Sequence, residues 1–377
     1  MTECLSRLLA PLTAELFLRH YQAREHFHVS RSSPLYYADL LDVADLDTVL
    51  QSRQLPAAFI NVVKNGVPCP VEGWSRFANS ARGAHQIAIP EDILTLYADG
   101  ATLIVNRGDA LLPALADVCR TLTRELGFPT QTNIYITPCN AAGFTKHSDD
   151  HDVLILQIAG SKSWRVYTPG ELEIELHSGD LLYIPRGMFH DARSCDEDSI
   201  HVTLGLRPAY AFELIRDLGT LAADRENFQK PMPPTFAGVE ALQSFESELL
   251  SGLQALIAEI DLSTLANLHS RDSITHEDNA WPGRFADLRF LTRITPDTIV
   301  CRRADTPAEI KDDGKLLHLS FGNRRVSIPV FMREQLPRIL GDKNFAVGAI
   351  EGMITSAGKV TLVTELVKAG FLRIVSI

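Results

Sequence analysis

The sequence predicts an α+β protein in three parts: an antiparallel β jelly roll at 1–207, a helical segment at 208–280 and a winged-helix-like module at 281–377. Between 131 and 207, short β-branched and apolar runs succeed one another with Gly, Pro, Ser and Asp between them and no helical period, the pattern of a jelly roll. From 209 the apolar spacing lengthens to that of a helix, in two stretches parted by Lys230-Pro231-Met232-Pro233-Pro234. Past about 281 a hairpin pattern alternates with short helical ones.

The elements follow in order. Glu3, Arg7 and Glu15 interrupt the first apolar residues, which makes the start an amphipathic helix rather than a signal peptide. Residues 44–54 and 91–98 are helical in pattern. Residues 57–63 alternate before Lys64-Asn65-Gly66, where Asn-Gly is a hairpin signal. The run 111–126 is a helix stopped by Gly127, with Pro129 just beyond. Strands are expected at 132–137, 153–158, 163–167, 181–184 and 199–206, and helices at 209–225 and 238–260. The second of these helices carries Leu242, Phe245, Leu249, Leu253 and Leu256 at helical spacing, a stripe for packing against the same chain or a second subunit. A homodimer is the expectation. Strands at 316–321 and 326–330 flank Asn323-Arg324, helices follow at 331–340 and 359–369, and a strand at 372–375 ends the chain.

Composition narrows the functional classes. At 45% hydrophobic and 22% charged, the 377 residues describe a folded soluble protein, and no run of ~20 apolar residues could span a bilayer. The six cysteines form no Cys-x-x-Cys pair, which argues against a zinc ribbon or disulfide framework and for a reducing cytoplasm. Net charge is −11, unevenly placed: residues 286–377 hold 14 Lys and Arg against 10 Asp and Glu, and the remainder 22 against 37. An acidic body suits a basic polypeptide better than nucleic acid. Arg302-Arg303 and Arg324-Arg325 are the basic clusters of the tail, too few for a phosphate track.

The chemistry concentrates around His147-Ser148-Asp149 and His190. Residues two apart on a strand share a face, so His147 and Asp149 can reach one ion. His190 lies 41 residues past Asp149, enough for a jelly roll to bring the chain back beside it. Two imidazoles and a carboxylate favour iron or manganese with open positions over structural zinc. His151 has the same parity as His147 and Asp149, and leaves the register open.

The surrounding stretches strongly resemble the Jumonji-C cupins of the bacterial ribosomal-oxygenase type. They are FTKHSDDHDVLILQIAGSKSWRVY at 144–167, SGDLLYIPRGMFH at 178–190 and SIHVTLG at 199–205, with further likeness at 100–107 and 133–138. The resemblance implies a double-stranded β-helix and an iron(II)- and 2-oxoglutarate-dependent hydroxylase of a protein or peptide side chain. His147, Asp149 and His190 would hold the metal. Lys162 would meet the distal carboxylate of 2-oxoglutarate, although a lysine after Gly160-Ser161 is ordinarily a solvated turn residue. Asn133, Tyr135 and Thr203 match positions near the co-substrate, and Thr137 shares the face of the first two. His201 either lines the site or is a buried structural histidine. Ribosomal proteins, through His or Arg, are the implied targets. The alternatives are a natural-product precursor peptide and a non-catalytic binding protein. Ser148 stands where relatives often carry an aromatic residue, a departure at the substrate mouth rather than at the metal.

Overall fold

Alternating and continuous apolar runs, rather than long helices, dominate the first half of the chain. The structure is a computed structural model, and it describes residues 3–80, 83–141, 143–168, 170–223, 225–259, 283–303, 308–321 and 324–377. The chain folds as two units, Met1–Pro208 and Ala209–Ile377.

The strands of the first unit are β1 (Phe27–Val29), β2 (Ile60–Lys64), β3 (Val67–Pro68), β4 (Ser75–Ser80), β5 (Gly83–Ala88), β6 (Thr102–Asn106), β7 (Thr130–Thr137), β8 (Asp152–Val166), β9 (Leu172–His177), β10 (Leu181–Ile184) and β11 (His190–Leu206). A single antiparallel sheet runs β1-β10-β8-β11-β7-β6-β2-β3, with β9 on the other end of β8; β4 and β5 form a separate hairpin. The long central strands β8 and β11 are what hold the barrel together, pairing from His190↔Val166 to Leu206↔Asp152.

Both faces of β8 are buried, which is why its sequence reads as an unbroken apolar run. Leu154 and Leu156 pack with Leu181, Tyr183, Val202 and Leu204 under the N-terminal helices. Val153, Ile155, Trp164 and Val166 pack with Ile174, Leu176, Leu182 and Ile184. The N-terminal helix Ala14–Ala23 meets the sheet through Phe17, whose ring packs edge-on against Phe27 and Tyr183, and the helix Glu3–Leu9 is tied to it through Arg31. Its guanidinium donates to the carbonyls of Leu8, Ala10 and Gly179, and its backbone N–H donates to the buried carboxylate of Asp180.

Several expected elements change shape in the fold. The runs 153–158 and 163–167 are one strand, because Gly160 (φ 65°) absorbs the local kink instead of turning the chain. An added Cβ there would stand 1.7 Å from the Asp198 carbonyl oxygen, so only glycine lets β8 and β11 approach this closely. The last strand starts at His190 rather than 199. The helix expected at 111–126 begins at Pro113, after a separate short helix Gly108–Leu111 that Pro113, with no N–H to give, cannot continue, and Gly127 (φ 77°) ends it. The start of the 57–63 run is a 3-10 turn, Ala57–Phe59, leading into β2.

In the second unit, helices Ala211–Ala223 and Val239–Glu259 match the two expected stretches. The rest of the helical segment expected to reach 280 lies outside the described residues, as does Asn323. Leu256 is buried, whereas Leu242, Leu249, Leu250, Leu253 and Ile257 are exposed. A separate core gathers Val300, Leu319, Ile328, Met332, Val363, Leu366 and Phe371 between two three-stranded sheets and the helix Ser356–Ala369. Among the described residues, no helix is long and apolar enough to cross a membrane.

Candidate metal centre

The segment before β8 and the start of β11 meet through a two-residue bridge. The backbone N–H of His147 donates to the His190 carbonyl (3.0 Å), and that of His190 donates to the His147 carbonyl (2.8 Å). This bridge closes the gap in sequence and stands the two rings beside each other, 4.4 Å between centroids. Asp149 is held by its own carbonyl, which accepts from the Gly187 N–H (3.0 Å). The result is one ligand atom from each of His147, Asp149 and His190 within 4.8 Å of the other two.

Hydrogen bonds orient the rings. His147 Nδ1 is 2.9 Å from the Thr145 carbonyl oxygen, and His190 Nδ1 is 3.0 Å from that of Met188. A carbonyl oxygen only accepts, so each Nδ1 carries the proton and each Nε2 keeps a lone pair. Those Nε2 atoms lie 3.9 Å and 3.7 Å from the two oxygens of Asp149. Burial, reinforced by the neighbouring His147, holds the His190 imidazole below its ordinary pKa and so in the neutral form that binds metal.

His151 has turned away from this cluster. Its Nδ1 lies 2.6 Å from an Asp150 carboxylate oxygen, and its ring fills the space a Cβ at Gly205 would need, 2.8 Å from Nε2. The equal parity of His151 is therefore spent on a local hydrogen bond and a packing contact. Asp152 is also engaged, accepting from the Tyr183 hydroxyl and the Arg186 N–H, both at 3.0 Å.

Inside the barrel, the same cavity is lined by Tyr135, Lys162, Trp164, His201 and Thr203. Lys162 is only 2% exposed, and its ammonium donates to Thr137 Oγ1 at 3.0 Å. Burial pushes its pKa down to about 7. His201 stacks flat on Tyr135, 4.7 Å between centroids, with Trp164 edge-on at 5.3 Å. Burial, then the charge of Lys162, hold His201 well below its ordinary pKa, and burial raises that of the Tyr135 hydroxyl. Trp164 Nε1 and His201 Nδ1 are buried without a hydrogen-bond partner among the described residues. A buried cation beside two orphaned polar atoms is a surround suited to an anionic ligand.

Asn133 stands apart from this group. Its side-chain oxygen accepts from the Arg107 N–H (3.1 Å), and it is not among the residues lining the cavity. Trp164 and Phe144 do line it and were not singled out from sequence. Trp164 had a usable signal, since it lies two residues from Lys162 on the same strand face.

With this geometry in place, likeness to known proteins becomes informative. The JmjC domain family model matches residues 110–175 and 169–214. Ribosomal oxygenase 1 of Gallus gallus is 30% identical over 220 residues, 52% of this chain and 35% of its own length. A bifunctional lysine-specific demethylase and histidyl-hydroxylase NO66 of Culex quinquefasciatus is 28% identical over 217 residues, 52% of this chain and 32% of its own. The chain thus spans about a third of the length of these curated relatives. Among solved structures, YcfD, a ribosomal oxygenase from Escherichia coli, in complex with cobalt and succinic acid, aligns with a TM-score of 0.54 at 15% identity, covering 97% of this chain and 99% of that one. Another YcfD structure, in complex with cobalt and 2-oxoglutarate, aligns with a TM-score of 0.50 at 14% identity, covering 96% and 98%. These structures bear on the fold alone. Residues 110–214 therefore match the JmjC domain family, and the chain resembles the ribosomal oxygenases in sequence over about half its length and in fold over nearly all of it.

Proposed function

We propose that this protein is an iron(II)- and 2-oxoglutarate-dependent hydroxylase of a protein or peptide side chain, with His147, Asp149 and His190 as the metal ligands. The carrying observation is that these three donors converge in one cavity with the buried ammonium of Lys162. Two imidazoles and a carboxylate leave coordination positions free for co-substrate and oxygen. When bound, iron and 2-oxoglutarate supply the oxidising power, converting oxygen and 2-oxoglutarate to succinate and carbon dioxide as one oxygen atom enters a C–H bond.

The chain's own residues do the positioning. Thr145 and Met188 carbonyls fix the imidazole tautomers, so both Nε2 lone pairs face Asp149. Lys162 would pair with the distal carboxylate of 2-oxoglutarate, with Tyr135 and Thr203 beside it and Thr137 holding the ammonium. Trp164 and His201 keep that end of the cavity out of water. Asn133, proposed from the resemblance, would act by holding the Arg107 backbone rather than by touching the co-substrate.

Ribosomal proteins are the substrate class, and histidine the residue, that the names of the relatives support; arginine as target and a cytoplasmic location rest on the sequence reading alone. The organisation proposed from sequence is a catalytic cupin at 1–207, a helical dimerisation segment at 208–280 and a winged-helix-like module at 281–377. The exposed Leu242, Leu249, Leu253 and Ile257 support the dimer. The test is incubation with iron(II), 2-oxoglutarate and the host's ribosomal proteins. Succinate and a matching gain of one oxygen on a single residue are expected; succinate formation that ribosomal proteins do not stimulate would reject that substrate class.

A further inference from the structure

Next to the metal cavity, within the same unit, lies a groove of about 560 Å³, in the ~300–1,000 Å³ range typical of ligand sites. Its floor is apolar, with Val62 of β2 and Trp74 buried in it, and Asn61, His85 and Gln86 contribute amide and imidazole groups. None of the described residues that line it is a Lys, Arg, Asp or Glu, although the first 285 residues are strongly acidic. Among these described residues, a phosphate, a carboxylate or a basic side chain finds no formal counter-charge. An uncharged apolar group does not need one.

Two contacts join the groove to the metal centre. Phe144 lines both cavities, and its ring lies 5.5 Å from that of His147. Gly66, at the tip of the β2–β3 hairpin, packs so tightly that an added Cβ would stand 2.5 Å from Thr145 Cγ2 and 3.3 Å from Thr145 N. Thr145 is the residue whose carbonyl holds the His147 ring. The hairpin that walls the groove and the segment that presents His147 are therefore one packed piece.

We propose that this groove is a subsite for the polypeptide substrate, taking an aliphatic or aromatic side chain at a set distance from the residue delivered to the metal. The inference rests on the protein-hydroxylase reading above and adds its sequence preference. An occupant continuous with the oxidised residue is the one that exploits a wall shared with the metal centre. The lining points the same way, since its described residues carry no formal charge within an acidic body and so favour an apolar side chain over a charged one.

The test uses the full chain and a pool of peptides with a central His or Arg and randomised flanks. The exposed groove residues Ala58 and Asn61 are filled as Ala58→Trp and, separately, Asn61→Trp. Wild-type oxygenated products should be enriched in an apolar residue at one position. Both variants should lose about tenfold or more in kcat/KM on those peptides, the scale of one buried apolar side chain, while binding Mn(II) and 2-oxoglutarate as the wild type does. Unchanged oxygenation in both variants, or products without an apolar preference, would overturn the subsite. A variant that sediments more slowly than the wild type would instead give the groove to a second copy of this chain. If the wild type turns over 2-oxoglutarate yet oxygenates no peptide, the polypeptide reading falls and the subsite with it. If it turns over no 2-oxoglutarate at all, the oxygenase reading itself has failed.

Discussion

Replacing Lys162 with methionine should make the protein more stable and abolish its use of 2-oxoglutarate. The lysine is almost fully buried, donates to one hydroxyl and has its pKa pushed down from 10.5 to about 7 by burial. Folding at pH 7 with that lysine in place costs about 4 kcal/mol relative to leaving it in water. Methionine removes this penalty but leaves Thr137 Oγ1 without its donor, so a net gain of about 2–4 kcal/mol is expected in urea unfolding at pH 7. The sign follows from proton binding. Between pH 7 and 10.5 the unfolded chain holds more protons than the folded one, so wild-type stability rises with pH and the advantage of Lys162→Met shrinks. Ligand affinity moves the opposite way, because the ammonium, not the amine, pairs with a carboxylate. With Mn(II) kept saturating, calorimetric affinity of the wild type for 2-oxoglutarate should fall about fivefold from pH 7 to 8 and about tenfold from 8 to 9. A Lys162→Met protein less stable than wild type at pH 7, or a wild-type affinity flat from pH 7 to 9, would refute the buried-cation account.

His147→Ala and Asp149→Ala should each abolish metal-dependent succinate formation and weaken Mn(II) binding by at least about tenfold, read by calorimetry; wild-type metal affinity would remove them as ligands. Gly160→Ala should destabilise by more than about 3 kcal/mol in chemical denaturation, since its Cβ would enter the Asp198 carbonyl and its φ of 65° disfavours a side chain. Stability within about 0.5 kcal/mol of wild type would mean β8 and β11 can part locally without loss. Leu249→Asp combined with Leu253→Asp should convert a dimer to a monomer in sedimentation velocity, and an unchanged distribution would remove the helix Val239–Glu259 from the dimer contact.

Much of the first unit was legible because strand and helix periods are local properties. The run 181–184 is a strand at the bounds read from sequence, and the helix expected at 91–98 begins one residue earlier, at Pro90. Gly127 ends its helix in the left-handed conformation its identity suggests. The short β4–β5 hairpin and β9 escaped notice, since each draws its stability from neighbours rather than from a strong local pattern. Asn133 illustrates a different limit. Its strand parity is that of Tyr135, yet its amide is taken by the Arg107 backbone, a partner 26 residues away.

Sequence alone determined that His147 and Asp149 stand two residues apart and that a second histidine waits 41 residues on; the strand expected to carry the first two begins only at Asp152, and the bridge to His190 presents them instead. Sequence also determined the acidic body, the absence of paired cysteines and the helical stripe after 238. Only the tertiary structure decided which candidates meet. The reciprocal hydrogen bonds between His147 and His190 close the metal cluster, and Gly205 together with Asp150 draws His151 out of it. The burial of Lys162, the stacking of His201 on Tyr135 and the sharing of Phe144 by two cavities depend in the same way on strands distant in sequence. Such contacts follow from how sheets pack, and no local periodicity encodes them.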